Sequence, residues 1–238
     1  LPAEETLSVS GKTVEVDLAA LYREITGVSG EAGPHTVAAL NTVISRLTEM
    51  GCNDLALGNV LARLILRLDY PGDPPALAVA VPDLARQMGE ACNMNGQKQR
   101  ALLLAAKVYD IGKFSIPQPV LHAPRELSPA ERQTVMGHVN TAVQDILRAH
   151  KIFTPVLSFV KFHHERWDGS GYPWHLKKDE IPTESMILGI LDVYRALATD
   201  RPYRPRLAAE QARAEILAGR GRIDRKSTRL NSSHFVPS

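Results

Sequence analysis

The chain has 238 residues, 44% hydrophobic and 23% charged, with a formal net charge of +2. That balance fits a protein with a proper core and, with no long run of like charges, argues against a nucleic-acid polymer as partner. Cys52 and Cys92 match no zinc spacing and no disulfide framework, which suits a reducing cytosol; with no apolar stretch of membrane-span length, a cytoplasmic protein with no membrane in this segment is expected.

In chain order, residues 1–30 read as an irregular N-terminal segment or linker, with strand-like alternation only in "KTVEVDL". The chain opens at Leu1 with no basic-then-apolar leader, so no signal peptide is read, and an upstream sensor domain is one reading of that start. From there the periodicity is helical. "PHTVAALNTVISRLTEMG" stops at Gly51, and "NDLALGNVLARLILRL" starts on the cap residue Asn53. "DYPGDPP" breaks the chain before "ALAVAVPDLARQMGEACNM" and "QKQRALLLAAKVYDIGK". "SPAERQTVMGHVNTAVQDILRAH" opens on a Ser128–Glu131 capping box with Pro129 at the first helical position. "FTPVLSFVKFHHERW", "PTESMILGILDVYRALATD" and "LAAEQARAEILAG" complete an all-α bundle of seven or eight helices over residues 31–224. Residues 225–238, "RKSTRLNSSHFVPS", lack this period. They read as a disordered, non-native tail, similar to translated sequencing-adapter DNA.

Asp110, His138, His163, His164 and Asp192 fall on four predicted helices or their ends. Mixed imidazole and carboxylate donors suit zinc, manganese or non-haem iron, with the last two favoured. Asp192 sits among apolar residues, where a carboxylate needs a cation or an ion-pair partner; a salt bridge satisfies it as well as a metal does. Adjacent helical residues point ~100° apart, so His163 and His164 serve one cluster only at a helix end. An isolated histidine pair, like His138 alone, is otherwise a surface or structural feature. In "DGSGYP" the glycines and Pro173 make a stiff turn around Tyr172 beside those histidines. Lys113, three residues after Asp110, reads as a phosphate contact or a surface lysine. Arg201 and Arg204 in "DRPYRP" read as a phosphate-binding loop or a salt-bridged one.

Together "LLLAAKVYDIGKFSIPQPVL", "MGHVNTAVQDIL", "HHERWDGSGYPWHLKKDEIP" and "ILDVYRALATDRPYR" resemble the HD-GYP family of bacterial metal-dependent phosphodiesterases acting on cyclic di-GMP. The resemblance implies an HD-domain helical bundle with the GYP loop at the site, and hydrolysis of cyclic di-GMP to pGpG or GMP. It implies divalent metal, iron or manganese, held by Asp110, His138, His163, His164 and Asp192. Asp110 and Lys113 would serve catalysis, while Lys113, Arg201, Arg204 and Tyr172 would contact the nucleotide. A signalling partner such as a diguanylate cyclase domain goes with this family role.

Three positions depart from the family pattern. The histidine of the HD pair is Tyr109, an upstream histidine position holds Leu77, and Arg195 replaces a common aspartate. A tyrosinate can ligate iron, though a tyrosine in a ligand's place more often fills the space. One metal position is therefore expected and a second is doubtful, with Arg195 and Arg204 partly replacing its charge. The resulting expectation is a phosphodiesterase impaired at Leu77 and Tyr109. The alternatives are an inactive cyclic di-GMP-binding or protein-interaction module and, if the motifs are accidental, an unrelated helical scaffold.

Overall fold

The computed structural model describes residues 4–9, 12–27, 32–33, 35–70, 74–200 and 205–221. Arg201, Arg204 and the tail at 225–238 lie outside the described residues.

A hairpin leads the chain. β1 (Glu4–Val9) and β2 (Lys12–Asp17) run antiparallel, with Glu4 opposite Asp17 and Val9 opposite Lys12. Next come α1 (Leu18–Thr26), α2 (Thr36–Glu49), α3 (Asp54–Asp69), α4 (Ala76–Ala91) and α5 (Gly96–Val108). After a 3₁₀ turn at Ile111–Ser115 follow α6 (Gln118–Leu121), α7 (Pro129–Met136), α8 (His138–Asn140), α9 (Leu157–Lys161), α10 (Thr183–Ala198) and α11 (Ala209–Ala218).

The helical class holds, with two differences of detail. Residues 4–9 and 12–27 are more regular than their sequence reading: Asp17 Oδ1 accepts from Ala20 N at 2.8 Å, capping α1. Leu18, Leu21, Tyr22 and Ile25 follow at helical spacing and are buried. Secondly, the run from Ser128 to His150 is not one α-helix. α7 and α8 give way to a π turn at Thr141–Ile146 and a 3₁₀ turn at Leu147–Ala149. Such widened turns are frequent at functional sites.

Two predicted caps are in place. Asn53 Oδ1 accepts from Ala56 N at 2.9 Å. Ser128 and Glu131 close a reciprocal capping box, with Oε2 of Glu131 accepting from Ser128 N at 2.8 Å.

The chain divides into two compact units, residues 1–74 with 107–157 and residues 75–106 with 158–238. In the first, α1 packs on α2 and α3, and the 3₁₀ turn at Ile111–Ser115 packs on α3, α8 and the π turn. The Thr36 hydroxyl donates to the Phe114 carbonyl, tying the start of α2 to that turn. In the second, α10 packs on α4 and α11. The Ser185 hydroxyl donates to the carbonyls of Ser158 and Phe159, at 3.3 and 3.1 Å, holding α10 beside α9. No described helix is long and apolar enough to cross a membrane.

Candidate functional site

In the first unit, α5 ends at Val108, and Tyr109 and Asp110 turn the chain into the 3₁₀ segment. Both side chains are buried. Gly112 permits this turn to lie against α8. A Cβ at Gly112 would stand 1.9 Å from the His138 carbonyl oxygen and 2.8 Å from Ala142 N, so only hydrogen fits there. That close approach places Asp110 Oδ1 at 3.7 Å from His138 Nε2.

The His138 ring is fixed by its own helix. Nδ1 lies 2.7 Å from the Val135 carbonyl oxygen. A carbonyl only accepts, so Nδ1 carries the proton, and in the neutral ring Nε2 keeps the lone pair that a metal takes. Two ligand atoms each about 2.1 Å from one cation stand roughly 3.0 Å apart at a right angle and further apart at wider angles. The 3.7 Å separation of Asp110 Oδ1 and His138 Nε2 lies in that range and is long for a hydrogen bond. The pair fits a cation.

Lys113 is neither a surface residue nor simply solvent-facing. Its Nζ donates to Asp110 Oδ2 at 2.8 Å and to Asp69 Oδ2 at 3.0 Å, with the three side chains 14%, 3% and 7% exposed. Asp69, at the end of α3, was missed by sequence reasoning; its spacing from Asp110 carries no motif. The three groups together hold one net negative charge, and Lys113 fixes one oxygen of Asp110 while the other faces His138.

In the second unit, α9 stops at Lys161, and His163 and His164 stand in the turn beyond it. This is the helix-end placement that allows neighbouring histidines to converge: the ring centroids are 4.0 Å apart, and a ligand nitrogen of each lies within 4.8 Å of the other. His163 repeats the arrangement at His138, with Nδ1 2.7 Å from the Val160 carbonyl oxygen and Nε2 left with the lone pair. A Cβ at Gly189 would approach the His163 carbonyl to 2.6 Å, so α10 also requires a glycine where it meets this histidine.

Tyr172 stacks on His164, with centroids 4.6 Å apart and planes at 22°, while its N–H donates to the His164 carbonyl at 3.2 Å. The following bond, Tyr172–Pro173, is cis. The loop is anchored by Glu165, a second residue the sequence did not single out. Its buried carboxylate accepts from Trp174 N at 2.7 Å and Leu176 N at 3.0 Å. A Cβ at Gly171 would lie 2.3 Å from Arg166 N, so the GYP loop needs its glycine to sit this close to the Glu165–Arg166 backbone.

Asp192 takes the salt-bridge alternative of its sequence reading, in a less enclosed setting. Its side chain is 21% exposed, rather than enclosed by apolar residues, and Oδ1 accepts from Arg195 at 2.8 Å. Arg195 is buried, so this carboxylate already has an internal cation. Leu77 is half-buried in the first turn of α4. Each unit thus offers donors of the kind a divalent metal takes: Asp110 and His138 in the first, His163 and His164 in the second. A cation at Asp192 would share that carboxylate with the Arg195 guanidinium.

Residues 44–227 match the HD domain family. The chain is 40% identical over 140 residues to a probable cyclic di-GMP phosphodiesterase of Vibrio cholerae serotype O1, covering 56% of this chain and 29% of the relative. It is 32% identical over 165 residues to the cyclic di-GMP phosphodiesterase response regulator RpfG of Xanthomonas campestris pv. campestris, covering 68% and 44%. The chain thus spans less than half the length of these curated relatives. Among solved structures, it is similar to an HDG"Y"P protein from Bdellovibrio bacteriovorus, with a TM-score of 0.51 at 13% identity over 90% of this chain and 88% of that one. At that identity the likeness shows the fold.

Proposed function

The chain belongs to the HD domain family, and on that footing we propose that it binds cyclic di-GMP at a one-metal site and hydrolyses it to pGpG or GMP at an impaired rate. The supporting observation is the shared setting of His138 and His163: each Nδ1 donates to a carbonyl three residues earlier, presenting Nε2 as a ligand. Asp110, His138, His163 and His164 are the proposed ligands, with Asp192 as a weak further one. A bound divalent metal, iron or manganese for these donors, supplies Lewis-acid charge neutralisation at a phosphodiester.

The chain's own residues supply the rest. Lys113 holds Asp110 in one orientation and is itself a proposed contact to a phosphate oxygen. Tyr172 fixes the His164 ring by stacking. Arg201 and Arg204 are proposed phosphate contacts, chosen for the guanidinium fork. Asp192 spends its negative charge on Arg195, and this favours a second reading in which the domain binds the nucleotide without turnover. A partner such as a diguanylate cyclase domain would then read the liganded state, and a cytoplasmic location goes with either role.

The test is an anaerobic time course of cyclic di-GMP hydrolysis after reconstitution with ferrous iron or manganese. The Leu77→His/Tyr109→His double variant runs beside the parent. Slow product from the parent and a large gain in the double variant are expected. Fast parental turnover, unchanged by the double substitution, would refute the impairment.

A further inference from the structure

Two residues beyond Tyr172, the same loop carries an aromatic cluster that metal chemistry leaves unused. Trp174 is 37% exposed. Phe162 meets its indole edge-on, with centroids 5.5 Å apart and planes at 82°. The Lys161 ammonium lies 4.5 Å from the Trp174 centroid and 5.0 Å from that of Phe162. Among the described residues, Lys161 meets these rings and no carboxylate.

Trp174 is held through its backbone as well as through its ring. Both oxygens of Glu165 are engaged, by the N–H groups of Trp174 and Leu176, and the residue between, His175, sits at φ 56°. That left-handed region is uncommon for a residue with a Cβ and costs free energy. The clamp thus holds a partly exposed indole, with Phe162 and Lys161 against it, at the surface of the loop. Tyr172, two residues before Trp174, stacks on the His164 ring.

We propose that Trp174 and Lys161 form a nucleobase platform. The indole stacks a guanine base of the bound cyclic dinucleotide, and the Lys161 ammonium moves from the ring face to the base's edge, where it meets the O6 and N7 acceptors. This rests on the reading of the domain as a cyclic di-GMP site and adds to it the residues that hold the base.

The test is calorimetric binding of cyclic di-GMP to the manganese-loaded full chain, with metal content measured on every sample. Trp174→Ala weakens binding by about tenfold or more, Trp174→Phe by less, and Lys161→Met weakens it while metal content stays at the parental value. In a Trp167→Phe background, the remaining Trp174 emission is quenched on adding nucleotide. Trp174→Ala with the parental Kd and no quenching overturns the platform alone. A metal-loaded parent that binds no cyclic dinucleotide overturns the platform and the functional reading together. If Trp174→Ala fails to fold, Trp174→Phe and the emission experiment decide the question.

Discussion

Gly112→Ala places one methyl group where the first unit has no room. Its Cβ would stand 1.9 Å from the His138 carbonyl oxygen, against about 3.3 Å for a comfortable carbon–oxygen contact, so the two segments must part by about 1.4 Å. Neither obstructing atom can swing away, because both are backbone atoms, His138 O in α8 and Ala142 N at the start of the π turn. Overpacking of this kind costs about 1–3 kcal/mol, equivalent to a fall in Tm of roughly 2–12 °C for a chain of this size. The loss at the site should exceed the loss of stability. Metal–ligand distances tolerate about 0.2 Å, and an ångström-scale opening separates Asp110 Oδ1 from His138 Nε2. Manganese retained after dialysis and the melting temperature are the two readouts. Gly96→Ala, where nothing lies within 4 Å of the added carbon, is the control and should leave both unchanged or raise the Tm slightly. A Gly112→Ala protein with parental metal content and Tm would refute the close-packing argument.

Removing ligands should act more selectively. Asp110→Ala and His163→Ala each strip the bound metal, and unchanged metal content in either would sink the ligand assignment. Glu165→Gln keeps the shape of a buried side chain but loses an anionic acceptor for two N–H groups, at about 2 kcal/mol. A lowered Tm and a shift of the tryptophan emission are expected, and an unaltered spectrum counts against the loop clamp. Burial lowers the pKa of His150 from the ordinary 6.5, while its Nε2 lies 3.0 Å from Asn41 Oδ1. Because the folded value is depressed, this contribution is full above pH 6.5 and is lost as pH falls below it. Tm should therefore drop less between pH 7.5 and 5.5 in His150→Gln than in the parent. Equal drops would show that His150 contributes nothing to the acid limb.

What the sequence made legible were local devices. Asn53 and the Ser128–Glu131 box are read from residue type and spacing, because a cap satisfies backbone groups one turn away. Helical geometry allowed His163 and His164 to converge only at a helix end, and the helix does end at Lys161, short of where "FTPVLSFVKFHHERW" suggested. Partners set by tertiary packing were out of reach. Lys113 meets Asp69 across 44 positions, and no periodicity brings the end of α3 to the turn after α5. Glu165 looked like one more charge in "HHERW" because its partners are backbone N–H groups of a loop whose path only the fold fixes. The pairing of Asp192 with Arg195, at the i,i+3 spacing, was within reach of helical geometry. The departures at Leu77 and Tyr109 were plain in the sequence. The burial of Tyr109 was not.

The acceptors that orient His138 and His163 are main-chain carbonyls, at Val135 and Val160. Metal sites often entrust this task to a carboxylate, which a single codon change can delete. Here any residue in place of either valine still supplies the same oxygen. These two proposed ligands are thus insulated from mutation in their surroundings, and a lineage could abolish the imidazole donors only by replacing the histidines themselves or by unwinding the turns that carry them.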